Sequence, residues 1–159
     1  MKIYTIGVYG STEQEFFNKL LENKIDAFCD IRRRRGVRGS EYSFVNKNRL
    51  QAKLAELEIK YGHILELAPT TEIREKQRAE DEKNKEQKKT RTHLGCVFVS
   101  EYKKQIIEKF YFDSFIDKLD KIGANRVVLF CVESNAKACH RALVAEELHK
   151  RYGYETVNL

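Results

Sequence analysis

Short apolar segments typical of β-strands alternate along this chain with segments whose apolar residues have helical spacing. The predicted strands are residues 2–6, 25–29, 60–65, 126–131 and 154–157. Between most of them, apolar residues recur every three or four positions, as expected for helices that bury one face. Strands that alternate with helices predict a mainly parallel open sheet with helices on both faces, which is an α/β three-layer sandwich.

Local signals mark several helix ends. Thr12 and Glu15 fit a capping box, while Gly123 and Gly153 are suited to end helices. Residues 95–99 fit either a strand or the start of a helix. Because 159 residues is near the common size of one domain, residues 1–159 are predicted to form a single α/β domain. The other predicted helices lie around residues 50–57 and over residues 102–110, 112–122 and 138–152.

Residues 70–92 interrupt this alternation. They follow Pro69, the single proline, and are nearly all charged or amide side chains. A segment with so few apolar residues lacks the surface that a core requires. We therefore expect a charged insertion outside the core, either a solvated helix or a mobile segment.

Hydropathy, cysteine content and charge indicate the cellular compartment and the kind of partner to expect. No apolar run approaches the roughly 18 residues of a membrane span, and no signal-type stretch opens the chain, so a cytoplasmic location without a membrane partner is expected. In a reducing compartment the cysteines serve packing, chemistry or metal binding. The formal net charge of +6 favours an anionic partner, such as nucleic acid or another phosphate-bearing ligand. The four cysteines are Cys29, Cys96, Cys131 and Cys139.

Candidate site residues fall directly after predicted strands. In open parallel sheets, ligands bind beyond the carboxyl ends of the strands, so Gly7, Asp30, Glu66 and Cys131 are expected at one edge. Asp30 leads into a basic loop that contains Arg32, whose guanidinium suits phosphate oxygens. The alternative is a solvated basic loop with no ligand.

Reactive side chains are densest between Cys131 and Arg141. Helix N-termini bind anions and lower thiol pKa values, so Cys131 or Cys139 could serve as a thiolate nucleophile. His140 could act as a general acid or base, and Arg141 as an anion clamp. Asp30 or Glu133 is a further acid or base candidate. The alternative is that the cysteines are small buried apolar residues and that His140 and Arg141 lie on the surface.

Spacing argues against two familiar sites and gives only a weak indication of a third. The phosphatase loop needs arginine six residues after its cysteine, where this chain has Lys137. Gly7 and Gly10 do not complete a dinucleotide-binding pattern. Zinc is only weakly indicated, because Cys139 and His140 are adjacent while Cys131 is distant in sequence. No metal ligand and no cofactor is assigned.

Several motifs together resemble the domain of unknown function 488 family over nearly the whole chain. The resemblance implies an α/β fold and adds His63 and Glu66 to Gly7, Arg32 and Arg141 as substrate-binding candidates, but it implies no reaction. The motifs are Ile3-Tyr4-Thr5-Ile6-Gly7, Asp30-Ile31-Arg32, residues 61–67 with His63 and Glu66, and Cys131-Val132-Glu133 with Cys139-His140-Arg141.

Two departures from the family pattern fall near the expected site. Members usually continue Thr-Ile-Gly with His-Ser, where this chain has Val8-Tyr9. They often carry proline soon after Asp-x-Arg, where this chain has Arg34 and Arg35. The family's histidine is therefore replaced here by an apolar residue.

Three functions follow as hypotheses. The first is an enzyme that acts on a phosphate-bearing substrate, such as nucleic acid or a nucleotide, at the carboxyl ends of the strands. The second is a basic nucleic-acid-binding module without catalysis. The third is a zinc or redox role for the cysteines.

Overall fold

A parallel β-sheet organises residues 1–85 and 92–159, which the computed structural model describes. Within these residues the sheet has five strands in the order β3-β2-β4-β1-β5, and every pairing is parallel. The predicted mainly parallel open sheet is confirmed. The strands are β1 (Lys2–Ile6), β2 (Ala27–Asp30), β3 (Lys60–His63), β4 (Arg126–Phe130) and β5 (Thr156–Asn158).

The helices follow the predicted pattern with shifted ends. The capping box at Thr12 is present, and Gly153 ends the last helix with a left-handed φ of 70°. Residues 95–99 begin a helix that stops at Gln105, earlier than predicted. No described helix has the length and apolar character to cross a membrane. The helices are α1 (Glu13–Glu22), α2 (Lys47–Glu56), α3 (Thr71–Lys83), α4 (Cys96–Gln105), α5 (Phe112–Lys121) and α6 (His140–Tyr152).

Two apolar cores lie on opposite faces of the sheet, because successive side chains of a strand point to opposite faces. Ile3, Val127 and Leu129 pack against residues of α3, α4, α5 and α6. Their neighbours in sequence, including Tyr4 and Val128, pack against α1 and α2 on the other face. Helices thus cover both faces, and the predicted three-layer sandwich is confirmed.

The strand register brings four strand ends to one level. Ile6 pairs with Phe130, Phe130 with Asp30, and Asp30 with His63. The segments that follow β1, β4, β2 and β3 therefore leave the sheet side by side. This carboxyl edge is where ligands are expected in parallel sheets.

Helix α3 differs from the expectation for the charged segment. Ile73 is fully buried in the core, and Gln77 and Asp81 are buried one and two turns later. The Gln77 side chain donates to Asp81 Oδ1 at 2.7 Å and accepts from the Gly95 backbone N–H at 2.9 Å. The prediction that this segment adds nothing to the core is wrong at Ile73. The helix is also held by the buried polar residues Gln77 and Asp81, which the spacing of apolar residues in the sequence does not reveal. Residues 86–91 of the predicted insertion lie outside the described residues.

Replacing Ile73 by alanine tests whether α3 is docked. The variant Ile73→Ala leaves a cavity under the helix, so we expect the free energy of unfolding to fall by about 3 kcal/mol in urea denaturation. Glu75→Ala is the matched control on the exposed side of α3 and is expected to change stability by less than about 0.5 kcal/mol. Equal stability of the two variants would show that α3 does not pack on the core.

Candidate functional site

Asp30 and Arg32 form a buried ion pair at the end of β2. Arg32 Nε and Nη2 donate to Asp30 Oδ1 and Oδ2 at 2.8 and 2.7 Å, so the pair is bidentate. Nη2 also donates to Val45 O at 3.0 Å, and the Phe130 ring centre lies 4.5 Å from the guanidinium carbon. Among the described residues, Arg32 Nη1 has no hydrogen-bond partner. The side chain holds the loop before α2 against the sheet.

Two side chains of β3 extend this arrangement. The Tyr61 hydroxyl donates to Asp30 Oδ2 at 2.9 Å, and burial raises the pKa of Tyr61. His63 Nε2 lies 2.8 Å from Arg32 O. Because a carbonyl oxygen only accepts, Nε2 carries the proton and Nδ1 of the neutral ring keeps its lone pair. Half-buried His63 is therefore suited to proton transfer, whereas Glu66 lies exposed in the following turn.

Arg141 holds the loop that follows β4. Its Nη1 and Nη2 donate to the backbone oxygens of Glu133 and Ser134 at 2.6 and 2.9 Å, and Nε approaches Thr5 Oγ1 at 3.4 Å. The side chain is only 1% exposed. Its donors are thus directed to the protein, and Thr5 is a partner that the sequence did not suggest.

Gly7 allows the loops after β1 and β4 to touch. A Cβ atom at Gly7 would lie 1.9 Å from Glu133 O, which is far inside van der Waals contact. The backbone N–H groups of Val8 and Tyr9 both donate to Val132 O, at 3.1 and 3.0 Å. Val8, which replaces the family's usual histidine, is fully buried. The geometry explains glycine at position 7 by close packing.

Cys131, Cys139 and His140 converge in a buried cluster, which we call the thiol cluster. Their two sulfur atoms and one imidazole nitrogen all lie within 4.8 Å of one another. Cys131 Sγ donates to Glu133 Oε2 at 3.1 Å, and Cys139 Sγ lies 3.7 Å from His140 Nδ1. His140 Nε2 donates to Ile31 O at 3.0 Å. These residues can hold a metal ion, although their spacing in the sequence gave little sign of it.

The surroundings of the thiol cluster keep Cys131 protonated. A hydrogen bond with Cys139, together with burial, raises the pKa of the Cys131 thiol to about 11. This direction is opposite to the one expected at a helix N-terminus. For His140, burial lowers the pKa, but the Cys131 and Glu133 side chains and the Ile31 carbonyl outweigh it, so the net shift is upward. Cys131 alone is thus poorly suited to be a nucleophile at neutral pH.

A groove of about 760 Å³ opens at the start of α2, and we call it the basic groove. Asn46 Oδ1 accepts from Val37 N at 2.7 Å, and Lys47 N donates to Arg35 O at 2.9 Å, so the basic loop is fixed to the helix start. Burial raises the pKa of Tyr61 and the nearby Arg35 charge partly offsets it, so this groove cation acts on the hydroxyl that donates to Asp30. The lining residues are Arg35, Gly36, Ser43, Asn46, Lys47, Asn48 and Arg49.

The sequence missed part of this surface. Lys47 and Arg49 are not among the predicted site residues, because they lie in the first turn of α2, away from any strand end. The one sign of this surface in the sequence is the run of polar and basic residues at the start of α2. The sequence predicts a basic loop after Asp30, but its arginines have different surroundings in the structure. Arg32 is buried, while Arg33 and Arg34 are exposed.

Thiol alkylation tests the nucleophile hypothesis. In folded protein treated with a metal chelator, we expect iodoacetamide to modify exposed Cys96 and to leave Cys131 unmodified below about pH 8.5, because burial and a raised pKa both suppress the thiolate. Peptide mass spectrometry measures each site, and urea-unfolded protein is the control. Rapid modification of Cys131 at neutral pH would restore the nucleophile hypothesis.

Comparison with known proteins gives a family. No curated protein and no solved structure matches the chain. The family described as "Domain of unknown function DUF488" matches residues 12–148. The match includes the Asp30 pair, the β3 segment and both cysteine motifs, and it begins after β1. Since it spans most of the chain, the protein belongs to the DUF488 family, as its motifs suggested.

Proposed function

We propose that this protein is an enzyme acting on a phosphate-bearing substrate, such as nucleic acid or a nucleotide, and that the basic groove binds the phosphate groups. The observation that carries the proposal is the convergence of Arg35, Lys47 and Arg49 around one open groove. Guanidinium and ammonium groups are the usual protein ligands of phosphate oxygens. The net charge of +6 supports attraction of such a substrate over longer distances.

The carboxyl edge beside the groove supplies candidate reacting groups. His63 Nδ1 is a suitable general base, since Arg32 O fixes the proton on Nε2. Asp30 orients the Tyr61 hydroxyl, whose pKa is raised by burial and lowered by the Arg35 charge. Arg32 Nη1 is buried, so Arg32 serves to hold Asp30 and the loop before α2 in place. In this proposal Asp30 positions Tyr61 and does not itself transfer a proton.

A second candidate function is nucleic-acid binding without catalysis. It is favoured because the two carboxylates considered for acid or base roles, Asp30 and Glu133, are both buried, whereas the cations around the groove are largely exposed. Exposed Arg33, Arg34 and Arg38 would extend the contact along a phosphate backbone. Both proposed functions, the enzyme and the binding module, include a cytoplasmic location, where nucleotides and nucleic acids are present.

Removing groove cations tests phosphate binding. The double variant Arg35→Ala/Lys47→Ala is expected to bind a fluorescein-labelled single-stranded oligonucleotide more weakly. It should also reduce the slope of log Kd against log salt concentration by about 1.4, because two phosphate contacts to a single strand are lost. Fluorescence anisotropy measures both quantities, with ADP and inorganic phosphate as competitors.

The matched control for this experiment removes two lysines from α5 on the other side of the sheet. Lys118→Ala/Lys121→Ala lowers the net charge equally and is expected to leave the salt slope nearly unchanged. Equal losses in both double variants would mean that net charge alone drives binding. Absence of wild-type binding at low salt would reject the nucleic-acid versions of the proposal.

A histidine variant separates the enzyme from the binding module. His63→Gln keeps a donor for Arg32 O but removes the base, so turnover should fall on the order of 10²–10⁴-fold while Kd changes little. Chromatography of products from nucleotides and from single-stranded DNA and RNA measures turnover. His149→Gln in the last turn of α6 is the control. Wild-type binding with no product from any substrate would favour the module.

A further inference from the structure

We propose that Cys131, Cys139 and His140, the thiol cluster, bind a divalent metal ion of the zinc class, with Glu133 as the fourth ligand. This inference is independent of the basic groove and of the substrate proposed for it. It assigns a metal site to two cysteines that are eight positions apart in the sequence and to a histidine that directly follows the second of them. The following observations support it.

The distances suit a tetrahedral ion. Zinc binds sulfur at about 2.3 Å and imidazole nitrogen at about 2.0–2.1 Å, so two ligand atoms of one ion lie roughly 3.3–3.8 Å apart. Cys139 Sγ and His140 Nδ1 are already 3.7 Å apart, and all three ligand atoms lie within 4.8 Å of one another. One pair is therefore already at coordination spacing, and the remaining distances exceed it by at most about 1.5 Å.

The imidazole is held in the form that a metal requires. The Ile31 carbonyl accepts the proton of His140 Nε2, so the lone pair of the neutral ring is on Nδ1, the atom that faces Cys139. Metal-binding histidines usually donate their second nitrogen to a carbonyl or carboxylate in this way. Tyr102, whose ring centre is 5.5 Å away, packs beside the imidazole and limits its rotation.

Glu133 is positioned to complete the coordination. Its Oε2 lies 3.1 Å from Cys131 Sγ, and the carboxylate is nearly buried. Arg141 anchors the Glu133 backbone, which fixes the loop that carries the side chain. Two thiolates neutralise the ion and the nearby arginine balances the carboxylate, so the complete site carries no net charge. Such balance is needed in a buried position.

The ligand set selects the type of metal. Thiolate and imidazole ligands favour zinc and chemically similar ions, whereas magnesium and calcium prefer oxygen ligands. Binding requires each thiol to lose a proton, and these two protons pass to the solvent. Metal affinity should therefore rise with pH. Because the ligands join the end of β4 to the first turn of α6, the ion should also stabilise the fold.

Cobalt and zinc titration of the full chain tests the proposal. Reduced protein is stripped with a chelator and titrated with Co²⁺. We expect one equivalent to bind with thiolate-to-cobalt absorption in the near ultraviolet and the visible bands of a tetrahedral ion. Zn²⁺ should displace Co²⁺ with no further proton release, whereas binding of either ion to the metal-free protein should release the two thiol protons and raise the Tm by several degrees.

Variants assign the ligands. Cys131→Ser and Cys139→Ser should each roughly halve the charge-transfer absorption per bound cobalt. His140→Gln should weaken cobalt binding but leave the charge-transfer absorption per bound cobalt unchanged. Glu133→Gln should weaken binding without loss of that absorption. Exposed Cys96→Ser is the matched control and should behave as wild type.

The wild-type protein itself decides the proposal, so failure of a variant to fold does not obscure the result. Absence of cobalt absorption and of any Tm shift at saturating metal would overturn it. A disulfide between Cys131 and Cys139 that persists in reductant, seen as a mass lower by two hydrogens, would also overturn it. Either result would leave the proposed phosphate site unaffected.

Discussion

The register of the parallel sheet is the constraint on which the remaining structure depends. Parallel pairing sets the ends of β1, β4, β2 and β3 at one level, through the contacts of Phe130 with Ile6 and Asp30, and of Asp30 with His63. Chain segments that are more than a hundred residues apart leave the sheet as neighbours. Every candidate group at this edge owes its position to that register, since the loops themselves have little regular structure.

Buried arginines stabilise these irregular segments. Arg32 joins Asp30 to the loop before α2, and Arg141 holds the backbone of Glu133 and Ser134. A guanidinium removed from water must have its donors satisfied, and removal of one partner of a buried ion pair costs about 3–5 kcal/mol. Loop carbonyls outside the sheet likewise need donors. Apart from Arg32 Nη1, the side-chain nitrogens of the two arginines are paired and supply donors to these carbonyls, which accounts for large cations at buried positions.

Two chemically different regions meet along one short backbone segment after β2. The Ile31 carbonyl binds His140 of the thiol cluster, and the next carbonyl, of Arg32, binds His63 of β3, shortly before the loop residues that line the basic groove. Each hydrogen bond fixes the proton on Nε2 and leaves Nδ1 as the base or ligand. One region offers thiols, imidazole and carboxylate in a buried space, while the other offers exposed cations. Soft metal ions suit the first and phosphate groups suit the second.

The alternation of strands and helices, the helix caps at Thr12 and Gly153, and the segments that carry the candidate site residues can all be predicted from the sequence. These features depend on periodicity and local hydrogen bonding, which a linear pattern records. The folded structure was needed to show that Arg32 and Arg141 point inward, that α3 docks through Ile73 and Gln77, and that Lys47 and Arg49 line a groove. The convergence of Cys131 with Cys139 and His140 was decided there too. Side-chain direction and burial depend on register and on the packing of distant segments, so the pattern along one chain does not contain them.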